Sequence, residues 1–188
     1  MDLFVCHVKT GEEKKFIQLF TKLHPQWNNR VDFHTPLRQL KIRRAGKVRL
    51  EKKPLFPGYI FVETEELIPE LYLGLRSIDG LLRILPDNHR IQPLPPDHRE
   101  MIGRLIHRGG VLELSKVRFN ENGRIQVISG PLEGLEGKII KVDRRKQRAR
   151  IRLDMYDASH MIDLGFEELQ SIEDIQENQP TPSKEQRA

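Results

Sequence analysis

The sequence is poor in cysteine, in aromatic residues and in long apolar runs. Cys6 is the one cysteine among 188 residues, which excludes an intrachain disulfide and fits the reducing cytoplasm. Hydrophobic residues make up 37% and aromatic residues 6% of the chain, which favours two small domains over one large core. No apolar run reaches the ~20 residues that a membrane span needs. The first residues lack the basic flank and cleavage site of a secretory signal, so we predict a cytoplasmic protein with no membrane partner.

Sequence motifs of common catalytic and metal sites are also missing. The chain contains no G-x-S-x-G, no phosphate-binding glycine loop that ends in Lys-Ser/Thr, and no H-E-x-x-H. Its seven histidines never occur at metal-ligand spacing. Asp154 and Asp157 lie close together in the sequence, and a surface loop explains them better than a catalytic pair. We therefore predict that the protein is not an enzyme, with no catalytic residue, metal ligand or cofactor.

Positive charge is abundant and unevenly distributed along the chain. The formal net charge is +5, and the isoelectric point is near 9.4. Residues 38–53, from Arg38 to Lys53, contain eight Lys or Arg and one acid, and residues 141–152 contain seven and one. Each run alone fits a solvated face as well as a binding surface. The overall excess of cations is consistent with a polyanionic partner.

The first hundred residues alternate between strand and helix patterns. Strand patterns lie at residues 3–8, 58–62 and 80–85, and helical patterns at residues 16–27, 68–75 and 101–106. Ala45-Gly46-Lys47 predicts the tip of a basic hairpin. This order predicts an α+β domain over residues 1–108, built on an antiparallel sheet with helices.

After residue 110 the pattern changes to short strands separated by turns. The runs "GRIQVIS", "GKIIKV", "RARIRL" and "SHMIDL" follow one another at short intervals. They predict a small β-barrel over residues 119–174, preceded by a linker over residues 109–118. The polar, proline-containing end of the chain, residues 175–188, is expected to be disordered.

Three glycines precede the second basic run, in "GPLEGLEG" at residues 130–137. We expect Gly137 to start a strand in a backbone conformation that other residues cannot adopt. In "RARIRL" the arginines alternate with apolar residues, which predicts one basic face and one apolar face. The tip of the intervening hairpin is "RRK" at residues 144–146.

Two of these patterns together resemble the NusG family of transcription elongation factors. "KPLFPGYIFVE", residues 53–63, is similar to the "FPGY" strand of the family's N-terminal domain, the NGN domain. The glycine at Gly137 before an apolar strand is similar to the KOW motif, which forms an SH3-like barrel. The basic hairpin, the first helix and the proline-rich turn before the third helix match in order, so the resemblance covers about residues 3–172. It implies an NGN-like domain followed by a KOW barrel, in a protein that acts as a monomer.

The resemblance implies that the N-terminal domain docks on the clamp helices of bacterial RNA polymerase. Phe56 and Tyr59 would form the docking surface, supported by Phe4 and Leu55. Rigid aromatic residues beside a proline-fixed turn make good interface anchors. A place in the core remains an equal alternative for Tyr59, whereas exposure is favoured for Phe56. The basic hairpin of residues 38–53 would lie near DNA or the polymerase.

The second basic run is similar to that of the specialised LoaP-type antitermination paralogues, whose barrel binds a nascent RNA hairpin. Clustered cations bind phosphates with release of counterions, and arginine can also contact phosphate or guanine with two hydrogen bonds. The predicted RNA-binding residues are Lys141, Arg144, Arg145, Lys146, Arg148 and Arg150. This resemblance predicts a processive antiterminator.

The main alternative is a general NusG protein that modulates pausing and termination. The barrels of such proteins recruit ribosomal protein S10 or the termination factor Rho, through an apolar residue at a position where this sequence has Tyr156. A ribosome-associated RNA-binding protein is a further alternative, because KOW barrels occur there, but it leaves the "FPGY" domain unexplained.

Overall fold

The N-terminal half of the chain contains an antiparallel sheet with helices packed on it. The computed structural model describes residues 1–88, 90–106 and 110–169. The elements are β1 (Asp2–Val8), α1 (Glu13–Leu23), β2 (Val31–His34), β3 (Leu37–Arg44), β4 (Lys47–Pro54), β5 (Tyr59–Thr64), α2 (Pro69–Ser77), β6 (Leu81–Ile84) and α3 (Pro96–Ile106). The sheet has the order β2-β5-β1-β6, so the predicted "GYIFV" strand lies in its interior.

Alternation along β1 assigns its side chains to the two faces of this sheet. Phe4 and Cys6 pack with Phe16 of α1 in one hydrophobic cluster, which also contains residues of α2. Leu3 and Val5 belong to a second cluster, which contains residues of α3 and of the C-terminal half. Cys6 is a buried core residue, and this burial raises the pKa of its thiol to about 12.

The basic hairpin forms as predicted, from β3 and β4. Arg44 and Lys47 are paired at its end, and Ala45 and Gly46 both have positive φ, of 48° and 76°. Two consecutive left-handed residues form the two-residue turn that suits the twist of a hairpin. A short strand, β7 (Val111–Leu112), pairs in parallel with the beginning of β3.

The C-terminal half consists of five strands around an apolar interior. They are β8 (Ser115–Phe119), β9 (Ile125–Ser129), β10 (Ile139–Asp143), β11 (Arg148–Met155) and β12 (Ala158–Glu168), in the order β10-β11-β12-β8-β9. Ala149, Ile151 and Leu153 of β11 are fully buried, and the arginines between them are exposed. The predicted division of this strand into a basic and an apolar face is confirmed.

The connection between the two halves has more regular structure than the linker predicted at residues 109–118. β7 joins the sheet of the basic hairpin, and β8 pairs with both β12 and β9. Val117 is fully buried, and the hydroxyl oxygen of Ser115 accepts a hydrogen bond from the backbone N–H of Leu132 at 2.9 Å. The barrel therefore begins before residue 119. Its predicted end and the predicted disordered tail, residues 175–188, lie outside the described residues.

The expectation for Gly137 is wrong. Gly137 lies in a short 3-10 turn, Glu136–Lys138, without positive φ, and a Cβ added there would meet open space. Two other glycines of this stretch have positive φ, Gly130 with 103° and Gly134 with 76°. At Gly130 a Cβ would lie 2.7 Å from the Cα of Ser115. Gly130 thus permits the close approach of two barrel segments.

Candidate functional site

The "LFPGY" turn is fixed by buried hydrogen bonds between distant parts of the chain. The Glu13 carboxylate accepts the backbone N–H of Gly58 at 2.6 Å, and the Gly58 carbonyl accepts the N–H of Val8 at 2.8 Å. Burial alone would raise the pKa of Glu13, but its hydrogen bonds to backbone N–H groups hold that pKa below its usual value. Gly58 has φ 82°, and a Cβ there would lie 2.7 Å from the Thr10 hydroxyl oxygen. These contacts set the positions of Phe56 and Tyr59.

The predicted docking residues do not form one exposed surface. Leu55 and Phe56 are only 1% and 4% exposed, and Phe4 is 5% exposed. Phe56 contacts Phe61 edge to face, with ring centroids 5.1 Å apart. Leu55 and Phe56 belong to the cluster that continues into the barrel, whereas Phe4 lies under α1 and α2 on the opposite face of the sheet. The predicted exposure of Phe56 is wrong in this structure, because the barrel packs over this part of the sheet.

His160 of β12 is the barrel residue that meets these aromatic rings. The Tyr59 ring stacks on His7 at 4.8 Å and meets the His160 ring edge to face at 5.3 Å. The His160 ring is also 6.4 Å from the ring of Phe56. Burial lowers the pKa of His160, and His7 lowers it further, although Asp154 acts in the opposite direction. His160 therefore contributes a neutral ring to the contact between the two halves at neutral pH.

Tyr156 also joins the two halves. It lies at the β11–β12 turn with φ 52°, and its hydroxyl donates a hydrogen bond to the Gln92 carbonyl at 2.8 Å. Burial raises the pKa of this hydroxyl, so it stays protonated and can donate at neutral pH. The residue predicted to contact ribosomal protein S10 or Rho is thus engaged within the chain.

A group of arginines lies where β3 meets the barrel. Arg150 donates two hydrogen bonds to the Asp163 carboxylate, at 2.7 and 3.2 Å, and Arg38 donates one to the Asp163 carbonyl at 2.7 Å. The hydrogen bond from Arg150 is the main reason why the pKa of Asp163 is lowered, with smaller contributions from Arg38 and Arg148. The Nε atoms of Arg38 and Arg148 are buried and have no hydrogen-bond partner among the described residues. Positive charge therefore exceeds negative charge at this contact.

Gly165 permits a close approach between the two halves. A Cβ at this position would lie 2.5 Å from the Cδ2 of Leu114 and 2.7 Å from the carbonyl oxygen of Gln39. Gly165 is not among the site residues predicted from the sequence. An isolated glycine inside a strand pattern, here within "DLGF", is a general signal of such an approach.

The six predicted RNA-binding cations divide into two groups. Arg144 pairs with Glu168 and lies over the ring of Phe119 at 4.1 Å, and Arg150 pairs with Asp163. Arg148 donates a hydrogen bond to the Lys41 carbonyl at 3.2 Å. The other three are exposed and have no side-chain hydrogen bond or ion pair with any described residue; they are Lys141, Arg145 and Lys146. These three carry the charge that is available to a ligand.

Two other kinds of feature do not occur among the described residues. No group of three or more His, Cys, Asp or Glu side chains there could hold a metal ion. None of the helices formed by these residues is long and apolar enough to cross a bilayer.

Comparisons with known proteins match both halves of the chain. The family model described as "Transcription termination factor nusG" matches residues 1–103, and the KOW motif matches residues 122–153. The "Transcription termination/antitermination protein NusG" of Thermus thermophilus is 25% identical over 136 residues, 69% of this chain and 74% of that protein. The Borreliella burgdorferi protein of the same name is 20% identical over 151 residues, 76% of this chain and 81% of its own.

A solved structure shows the same fold. The structure "Domain interaction in Thermotoga maritima NusG" superposes with a TM-score of 0.56 at 23% identity, over 87% of this chain and 93% of that one.

Proposed function

The chain belongs to the NusG family of transcription termination and antitermination factors, and from this premise we propose that it is a processive antiterminator with two binding functions. The N-terminal domain docks on RNA polymerase, and the basic barrel binds a structured segment of the nascent RNA. The observation that carries the proposal is the exposed cationic tip of the β10–β11 hairpin. Arg145 and Lys146 are exposed there and have no side-chain partner among the described residues. The Asp143 carboxylate accepts a hydrogen bond from the Lys146 backbone N–H, which stabilises the turn.

A braced cationic hairpin suits the recognition of folded RNA. The deep, narrow major groove of an RNA duplex admits few side chains, so proteins read such duplexes mainly by shape and by backbone contacts. Each phosphate that a cation neutralises releases counterions, so the affinity falls as salt rises. Because the turn is already fixed, less conformational entropy is lost on binding.

Docking on the polymerase uses the sheet face that carries Leu55, Phe56 and Tyr59. This face is apolar and is covered by the barrel in the described arrangement. The barrel therefore leaves this face before the clamp helices bind there. Phe4 packs on the opposite face of the sheet, and we assign it a supporting role in the fold of the domain.

The basic hairpin has cations on both faces, and one face is suited to DNA or polymerase near the transcription cleft. Ile42 pairs with Arg49, and Arg44 pairs with Lys47. These four side chains therefore lie on the face opposite to Arg43. Arg44, Lys47 and Arg49 are exposed there. They form the part of residues 38–53 to which we assign this contact.

A general role in pausing and termination is the second candidate. The curated relatives are named for both termination and antitermination, which favours neither role. In a general factor, ribosomal protein S10 or Rho would bind the barrel near Tyr156. Because Tyr156 is bonded to Gln92, that surface also becomes available only when the halves separate.

Mapping of transcript ends in the source organism distinguishes the two roles. We expect deletion of the gene to abolish read-through of terminators within one or a few operons and to leave other terminators unchanged. Complementation with R145A/K146A should fail to restore read-through, and complementation with K15A/K22A, which removes equal charge from α1, should restore it. Changes in termination across the genome would instead establish the general role.

A further inference from the structure

The structure brings together two basic runs that are about a hundred residues apart in the sequence. A cleft of about 600 Å³ lies between the β3–β4 hairpin and the tip of the β10–β11 hairpin. Lys41, Ile42, Arg43 and Val48 line one side, and residues 144–148 line the other. The described residues that line it include no acid. The sequence patterns predict different partners for the two runs.

Most of the positive charge in this cleft is not neutralised by the protein. Lys41 pairs with Glu167 at 3.6 Å, and Arg144 pairs with Glu168. Arg43, Arg145 and Lys146 are exposed and have no side-chain hydrogen bond or ion pair with any described residue. Unneutralised cations on both sides of one cleft attract a polyanion that can lie between them.

The two sides of the cleft are held in fixed relative positions. Arg148, at the base of the barrel hairpin, donates a hydrogen bond to the Lys41 carbonyl at 3.2 Å. Gly165 allows β12 to lie directly against the backbone of Gln39. On the basic hairpin, the pairing of Arg43 with Val48 places both side chains on one face, and both residues line the cleft. The cations of the two halves therefore converge without rearrangement of the backbone.

We propose that this cleft is one binding site for the phosphodiester backbone of a structured nucleic acid, which both halves contact at the same time. The inference rests on the proposed RNA binding by the barrel and extends it to Arg43 and Lys41 of the N-terminal half. Because the site exists only when the halves are packed, nucleic acid binds the packed arrangement more tightly than the separated one. By linkage, bound nucleic acid also stabilises the packing. The shared site therefore acts before the halves separate, and a molecule docked on the polymerase keeps the RNA through the barrel tip alone.

The test measures binding of the full-length protein to a fluorescent RNA stem-loop longer than one helical turn and to a DNA duplex of the same sequence. R43A and R145A are each expected to weaken RNA binding by about threefold to tenfold and to reduce the salt slope by about one. K22A, which removes one exposed charge from α1, should bind as the unchanged protein does. Thermal melting followed by circular dichroism verifies that each variant is folded.

The Gly165→Val background tests whether the site depends on packing of the two halves. A valine there collides with Gln39 and Leu114, so the halves should separate. R43A should then cause no further loss of RNA binding, while R145A should still weaken it.

The other outcomes separate the inference from the proposed function. If R145A weakens RNA binding and R43A does not, the shared site is wrong and RNA binding by the barrel stands. If R43A weakens binding of the DNA duplex only, the hairpin is a DNA contact and the shared site is again wrong. If the unchanged protein does not bind the stem-loop, both the shared site and the proposed RNA binding are overturned.

Discussion

Replacement of Arg144, Arg145 and Lys146 by alanine is expected to reduce the affinity for a structured RNA by about 100-fold, and to lower the salt slope by about two. These residues form the tip of the β10–β11 hairpin, where two of the three side chains have no partner among the described residues. Each cation that contacts a phosphate contributes both affinity and counterion release, so the two quantities should fall together. Fluorescence titration at several salt concentrations measures both.

The three residues of this tip do not contribute in the same way. Arg144 pairs with Glu168 and lies over Phe119, so its removal also affects the packing of the barrel. The double variant R145A/K146A leaves those contacts in place and should retain most of the effect. The control for the triple variant is K14A/K15A/K22A, which removes three charges from α1. Unchanged affinity and salt slope in the tip variant, with normal folding, would show that the hairpin does not bind RNA.

Gly165→Val is expected to separate the barrel from the N-terminal half and to raise the affinity for RNA polymerase by about tenfold or more. The packed arrangement covers Leu55 and Phe56, so only the separated fraction can dock. The apparent dissociation constant equals the intrinsic one divided by that fraction, and a larger fraction therefore tightens binding. A valine side chain at Gly165 has no space, because its Cβ would lie 2.7 Å from a backbone oxygen.

Gly137→Val is the matched control for this substitution, because a Cβ at Gly137 meets open space. It should change neither the packing nor the docking. Separation can be followed by NMR through the ring resonances of His160, which lies against Tyr59 in the packed arrangement. In the Gly165→Val background, Phe56→Ala should abolish the gain in affinity. A separated variant that binds polymerase no more tightly than the unchanged chain would contradict the assignment of the covered face.

Local patterns in the sequence predict most of the fold. Alternation identifies the buried Ala149, Ile151 and Leu153 of β11, and Ala45-Gly46 identifies the tip of the basic hairpin. Both depend only on neighbouring residues and on the two-residue period of strands. Most of β8 falls within the predicted linker, residues 109–118, because its burial depends on its pairing with β12, which is distant in the sequence.

The arrangement of the candidate sites could not be predicted from such patterns. The burial of Phe56 and the engagement of Tyr156 both arise from packing between segments about 60 to 100 residues apart, which no local period encodes. The pairing of Arg150 with Asp163 depends on the register of β11 and β12, which places these residues opposite each other. The shared basic cleft arises in the same way, from the approach of β12 to β3 at Gly165.

We propose that one half of the chain binds RNA polymerase and the other half binds nascent RNA, and the most direct test is comigration with an assembled elongation complex. Purified protein is added to complexes whose nascent RNA carries, or lacks, the leader stem-loop, and the mixtures are resolved by size-exclusion chromatography. We predict comigration with both complexes, and stronger comigration when the stem-loop is present. Failure to comigrate with any elongation complex, whichever leader is supplied, would contradict the account.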